Sequence, residues 1–398
     1  MEVCTVRAPV LEWRCVDCFS LPSLTLENVA MAHEKIRLGI IGANIHYGWG
    51  TRAHLPALIH LPDYELVAVC TAHPETAQEA AQAYGVSLAF HRHEDLLSQP
   101  DIDAVAVVVR VPLHHRLTMD ALRAGKHIYT EWPLGANLQE AQEMATLART
   151  KGVHTMVGLQ GRFAPAFRRI KELLDEGYVG EMLACHLTQI RPGVLSRPSD
   201  RTWQRDHSLG ATTMTIPFGH AVDCMCMCVG EFREVSAVVS TQVPQWYETD
   251  TKRMVDVTAP DNILVSGRLA NGAVASIHVA SVPWHGSGMK LEIYGREGTL
   301  VASTGLSAQI DLVRLEGGRG TDRALQELPI PDHLSAVPAG VPEGEPLNVA
   351  RMYEGFAEAI RAGKRVEPDF ATAVMRHQLI EAVQTASDQG ERVTLQVG

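Results

Sequence analysis

Ile36-Arg37-Leu38-Gly39-Ile40-Ile41, running straight into Gly42-Ala43-Asn44, sets the architecture of this chain. The apolar run reads as a buried strand, and the Gly that ends it reads as a tight turn into a helix near 52–60. Backbone N–H groups at such a helix start face outward and accept a pyrophosphate. The whole turn spans Gly42-Ala43-Asn44-Ile45-His46-Tyr47-Gly48-Trp49-Gly50. Asn44 stands where a second glycine is usual; asparagine tolerates left-handed backbone better than most residues, so the turn is expected to survive. Far downstream, Lys126-His127-Ile128-Tyr129-Thr130-Glu131-Trp132-Pro133-Leu134 reads as a later strand of the same sheet. Its Glu131 falls where a nicotinamide ring would lie.

Working outward, further strands are expected at 65–71, 103–109 and 153–157, with helices at 74–84, 114–124 and 137–151. Strand and helix alternating in this way imply a parallel sheet covered on both faces. Asn137 with Glu140 is a capping-box pair at a helix start. After Gly158 the pattern changes. A helix near 164–176 is followed by strand-like runs at 181–190, 233–243, 262–269, 273–281, 289–295 and 298–302, with Asn271-Gly272 as a hairpin signal. Residues 330–347 read as a Pro- and Gly-rich loop before two helices near 348–362 and 369–388. The expected fold is an α/β Rossmann domain with a parallel sheet plus an α+β domain with a large, mainly antiparallel open sheet. The expected divisions are an extension at 1–34, a dinucleotide-binding domain at 35–157 and a substrate and oligomerisation domain with C-terminal helices at 158–398.

The 398 residues are 46% hydrophobic and 20% charged, with a net charge of −11, a balance that argues against a nucleic-acid surface. No apolar stretch is long enough to span a bilayer, and Glu2, Arg7, Glu12, Arg14 and Asp17 interrupt any signal-like apolar run. The eight cysteines are scattered, which suits a reducing compartment. A cytoplasmic protein without membrane or nucleic-acid partners is therefore expected. Cys15 and Cys18 have metal-like spacing without a second pair, and Cys224, Cys226 and Cys228 fit a helix core, so no metal site is expected. The second strand ends Val69-Cys70-Thr71-Ala72-His73 without the acid that commonly holds an NAD ribose. Either NAD or NADP fits, with a slight lean to NADP and with Thr71 and His73 as contacts.

Several segments, in order and spacing, resemble the glucose–fructose oxidoreductase / inositol dehydrogenase / MocA (Gfo/Idh/MocA) family. They are the Gly42 turn, Arg110-Val111-Pro112-Leu113-His114-His115, Ala124-Gly125-Lys126-His127, Glu131-Trp132-Pro133-Leu134 and Gly219-His220-Ala221-Val222-Asp223. The resemblance runs from Lys35 through the terminal helices. It implies a nicotinamide cofactor held by Gly42, Asn44, Gly48, Trp49, Arg110, Pro112, His115, Glu131, Trp132 and Gln160. In that family a Lys after the Glu, and an Asp and His from the second domain, surround the substrate carbinol. His220 matches the His, but Trp132 occupies the Lys position and Ile216 the Asp position. Asn44 with Gly48-Trp49, Glu131-Trp132, Leu159-Gln160-Gly161-Arg162 and Phe218-Gly219-His220 look like a subgroup that includes the fungal galactose-pathway co-repressors.

Hydride transfer needs no side chain of its own, so loss of the Lys removes a proton path rather than the redox centre. His220, with an ordinary pKa of about 6.5, is the candidate acid–base. Trp132 is a candidate stacking surface for a sugar or the nicotinamide, or a packing residue beneath it. Arg162, Arg191, Trp203 and Trp284 are candidate substrate contacts, with His207 and His285 nearby in sequence; Arg162 is equally readable as a structural ion pair. The leading expectation is an NAD(P)-dependent oxidoreductase acting on a sugar, polyol or related cyclic hydroxy or keto compound. A dinucleotide-binding regulator without turnover is the alternative that Trp132 and Ile216 raise. A lyase or glycosidase working by transient oxidation with a recycled cofactor is a further one. The resemblance also implies a homodimer or homotetramer through the second sheet.

Overall fold

The computed structural model describes Met1 and residues 34–396. Most of the expected extension, and with it the Cys15–Cys18 pair, lies outside the described residues. Six parallel strands form the first sheet: β1 (Ile36–Ile41), β2 (Tyr64–Cys70), β3 (Leu88–Phe90), β4 (Ala104–Val107), β5 (His127–Glu131) and β6 (Thr155–Gly158), in the order β3-β2-β1-β4-β5-β6. Four consecutive fully buried residues in β4, Ala104 to Val107, show why the strands read as continuous apolar runs: helices cover both faces.

Register places the site. Ile41 pairs beside Cys70 and Val107, and Val107 beside Thr130. Gly42, Thr71, Val108 and Glu131 therefore emerge together at the carboxyl edge, where ligands of open α/β sheets bind. Gly42 has φ +105°, and a Cβ there would lie 1.9 Å from the Val108 carbonyl oxygen, so only glycine fits this crossing. Gly48 also takes a positive φ, but Asn44 does not, which corrects the expectation for it. The Asn44 side chain instead accepts from the backbone N–H of His46 at 2.8 Å, a local turn bond that removes the need for left-handed backbone. The helix after the turn opens with a wide π turn, Gly50–His54, before Leu55–Leu58, which absorbs the stretched spacing.

The second sheet has nine strands. They are β7 (Met182–Pro192), β9 (Phe232–Ser240), β12 (Asn262–Leu269), β13 (Val274–Val282), β14 (Gly288–Gly295), β15 (Gly298–Thr304), β16 (Arg314–Arg319), β17 (Gln326–Glu327) and β18 (Val393–Thr394). Every neighbouring pair is antiparallel except β7 with β13. The Asn271-Gly272 turn joins β12 to β13 as its sequence implied. A small third sheet holds β8 (Ser196–Arg197), β10 (Gln245–Glu248) and β11 (Arg253–Asp256) in the order β11-β10-β8.

Both terminal helices form. Glu345–Ala362 lays Val349, Tyr353 and Phe356 into the same apolar core as Leu38 and Ile40, so the C-terminal part of the chain closes one face of the first sheet. Burying a residue such as Phe356 is worth about 2–3 kcal/mol. No helix among the described residues is long and apolar enough to cross a membrane.

Candidate active site

A cavity of about 890 Å³ opens over the carboxyl edge of the parallel sheet. Gly42, Asn44, Gly48 and Trp49 line it from the first turn, Thr71 and His73 from the end of β2, and Arg110 from beyond β4. Glu131 and Trp132 follow β5, and Gln160 follows β6. From the other half of the molecule come Arg191, Trp203, Ile216 and His220. Sequence positions far apart are thus brought to one place.

Glu131 is locked before any ligand arrives. Gln160 Nε2 donates to both its oxygens, at 3.0 and 2.8 Å, and His54 Nε2 donates to Oε1 at 2.9 Å. With its Nε2 proton committed, His54 uses Nδ1 to accept from the Tyr353 hydroxyl at 2.8 Å. Burial raises the Tyr353 phenol well above its ordinary value, so it stays a donor. A Cβ on Gly158 would lie 2.5 Å from the Glu131 carboxylate, so the glycine makes room for this carboxylate.

Trp132 is a wall. Its Nε1 donates to the Thr215 carbonyl at 2.8 Å, its ring centroid lies 4.9 Å from that of His377, and it is 4% exposed. A Cβ on Gly219 would fall 2.6 Å from Trp132 Nε1. Trp132 therefore offers no free stacking face, which favours the packing reading of it.

His220 sits at the start of the helix Gly219–Val229, and its Nδ1 is buried with no hydrogen-bond partner among the described residues. Burial pushes its pKa down to about 4, against the upward pull of Glu131 and Asp223. The expectation of a group titrating near neutrality is corrected: His220 is neutral at pH 7.

Some expected contacts are elsewhere. Arg162 is buried in a fork to Asp223, Nε to Oδ2 at 2.8 Å and Nη2 to Oδ1 at 2.9 Å, with Nη1 reaching Glu367 at 3.2 Å. It holds the helix of His220 to the turn of Gln160 and does not line the cavity. Trp284 is 71% exposed on the surface and takes no part. His115 bonds Glu143 at 2.8 Å, and Pro112 is absent from the wall while its neighbours Val111 and Leu113 are on it. His207 bonds Thr258, and neither it nor His285 lines the cavity. The Thr71 hydroxyl is turned toward His73 O and Thr76 Oγ1. Cys224, Cys226 and Cys228 are core residues, and burial pushes the Cys226 thiol up to about 12. No cluster of three or more metal-binding side chains occurs among the described residues.

His54, Arg197 and Trp246 were not legible as site residues. His54 gives no spacing signal, because its partner Tyr353 is 299 positions away. Arg197 and Trp246 sit on the short strands β8 and β10.

Residues 36–159 match the family described as "Oxidoreductase family, NAD-binding Rossmann fold" (Gfo/Idh/MocA), and residues 165–304 match "Gal80p, C-terminal domain". This chain belongs to the Gfo/Idh/MocA family, in the Glu-Trp-Pro subgroup that resembles the galactose-pathway co-repressor. Dehydrogenase aclE of Aspergillus oryzae is 35% identical over 246 residues, 59% of this chain and 67% of that protein. Levoglucosan dehydrogenase of Pseudarthrobacter phenanthrenivorans is 27% identical over 368 residues, 85% of this chain and 92% of its own length. The regulatory protein GAL80 of Saccharomyces cerevisiae is 28% identical over 256 residues, 60% of this chain and 59% of that protein. A solved levoglucosan dehydrogenase in complex with NADH shares the fold, with a TM-score of 0.79 over 91% of this chain and all (100%) of that one, at 24% identity. A Gal80p super-repressor mutant does so with a TM-score of 0.81 over 91% and 98%, at 23% identity.

Proposed function

We propose that this chain is an NAD(P)-dependent oxidoreductase acting on the CH–OH group of a sugar, polyol or related cyclic compound, or on the matching ketone. The observation that carries this reading is the single cavity that joins the Gly42 turn and the locked Glu131 to His220. The residues present fit a dinucleotide. The Gly42–Gly50 turn offers backbone N–H groups for a pyrophosphate, Thr71 and His73 line the cavity beside it, Glu131 and Gln160 line it toward His220, and Trp49 Nε1 is a buried donor without a partner among the described residues. When bound, the nicotinamide supplies the site that takes or gives a hydride. The lack of a carboxylate on Thr71-Ala72-His73 supports NADP over NAD.

Oxidation of a carbinol removes a hydride from carbon and a proton from oxygen. His220, neutral at pH 7, is in the form that accepts that proton, so its protonation state suits the oxidation direction. Trp132 and Ile216 line the cavity as apolar wall that keeps water out and moves no proton. His220→Ala tests the assignment: a folded variant should lose at least about 100-fold in turnover, and unchanged turnover removes His220 from the chemistry.

A second reading, a dinucleotide-binding regulator without turnover, draws on the tied Trp132 and the apolar Ile216 together. It requires cofactor binding without any redox change. A cytoplasmic homodimer or homotetramer fits the first reading, because the outer face of the second sheet exposes Val238, Leu264 and Val274. Light scattering that gives a monomer mass at micromolar concentration contradicts that part.

A further inference from the structure

Beside His220 the second half of the cavity is cationic and short of acceptors. Arg191 lies on β7 and Arg197 on β8, and both line the cavity. Among the described residues the Arg191 side chain forms no ion pair or hydrogen bond. The one carboxylate whose charge reaches it, Asp311, is engaged by Thr304 Oγ1 at 3.2 Å and Ser307 N at 3.4 Å. Arg197 is stacked 4.2 Å over the Trp246 ring and donates from Nη1 to Gln204, yet among the described residues it has no acid partner and its buried Nε has no hydrogen-bond partner. Trp203 Nε1 and Trp246 Nε1, also on wall residues, are buried donors without acceptors. Exposed Arg201 stands at the mouth.

Acids on the same wall are few or occupied. Glu131 is bonded by His54 and Gln160, and Glu345 pairs with Arg52. Asp261 accepts from Gln242 N and Val243 N, which leaves exposed Asp200. Two half-buried guanidiniums that repel each other and lack a counterion among the described residues carry a desolvation cost that an anion would relieve. Planar forks of this kind match a carboxylate.

We propose that the substrate carries a carboxylate, bound by Arg191 and Arg197, next to the carbinol that faces His220: a sugar acid or related hydroxy acid rather than a neutral sugar. This rests on the oxidoreductase reading for the reaction, but the anion site stands on the arginine wall alone.

The test is calorimetric binding of gluconate, glucuronate and galacturonate against glucose and galactose, with glucose 6-phosphate as a second anion, in the presence and absence of NADPH and NADH. At least one acid should bind ten-fold or more tighter than its neutral partner, weaken as salt is raised, and lose at least ten-fold in Arg191→Met. Arg197→Gln gives the same readout should Arg191→Met fail to fold. The proposal is overturned if no acid binds, if neutral sugars bind as well as their acids, if glucose 6-phosphate is preferred, or if both folded variants retain full affinity. Failure of the oxidoreductase reading shows differently: the acids bind in an arginine-dependent way while no nicotinamide change accompanies them.

Discussion

The indole N–H of Trp132 donates to the carbonyl of Thr215 at 2.8 Å, tying the end of β5 to the turn that leads into the helix of His220. The residue in the Lys position of the family is thus a structural tie between the nucleotide half and the substrate half. Trp132→Phe loses the bond and the second ring of the indole, leaving a carbonyl unpaired and a void in the wall, and should cost about 2–4 kcal/mol in urea unfolding. Trp132→Lys buries an ammonium against His377 and should cost more than Phe without raising turnover. A Lys variant as stable as wild type with faster turnover contradicts this role.

Asp223 neutralises Arg162 and lies 3.5 Å from Arg376, whose side chain is fully buried. Asp223→Asn leaves two buried guanidiniums undercompensated. Unfolding free energy should fall by about 3–5 kcal/mol. A loss below about 1 kcal/mol would show that Glu367, paired with Arg162, and Glu231, paired with Arg376 Nη2, carry the two guanidiniums unaided.

Acid should destabilise the fold through two imidazoles. Burial lowers His220 and His377 from 6.5 to about 4. The unfolded chain then binds protons below pH 6.5 that the folded chain refuses until about pH 4, so stability is full above pH 6.5 and falls as pH drops through that window. Each group contributes roughly 3 kcal/mol across it, at about 1.4 kcal/mol per pKa unit. Unfolding free energies between pH 8 and pH 4 measure the slope, and His377→Phe should flatten it. A slope identical in that variant removes His377 from the account.

Gly42→Ala forces a Cβ into the Val108 carbonyl, at 1.9 Å in the present backbone. The turn must shift, and dinucleotide affinity should weaken at least ten-fold, about 1.4 kcal/mol. Fluorescence titration with NADPH and NADH checks it; an unaltered Kd would mean the turn does not hold the nucleotide.

The first sheet was legible because strands such as β4 are buried on both faces, which writes an unbroken apolar run into the sequence, and β1 departs from one only at Arg37. The candidate site was legible at Gly42, where a glycine marks a close approach of backbone, and at His220 through the segment that carries the family resemblance. It was not legible where a partner comes from elsewhere in the chain. Arg162 offers the same residue type whether it meets a substrate or Asp223, and only the fold decides. The low pKa of His220 depends on burial that a local reading does not contain. β8, β10 and β11 are two to four residues long, too short for alternation to stand out, which hid Arg197 and Trp246. The helix Glu345–Ala362 was expected, but an apolar stripe does not say which sheet it covers.

Hydride transfer is read directly by the change in nicotinamide absorbance. Purified protein is mixed with NADP or NAD and a panel of polyols, sugars and sugar acids, and with the reduced cofactors and keto sugars. A steady, protein-dependent change is expected with at least one compound, and His220→Ala should abolish it. Cofactor binding with no absorbance change for any member of the panel, in either direction, would contradict it and leave a dinucleotide-binding regulator.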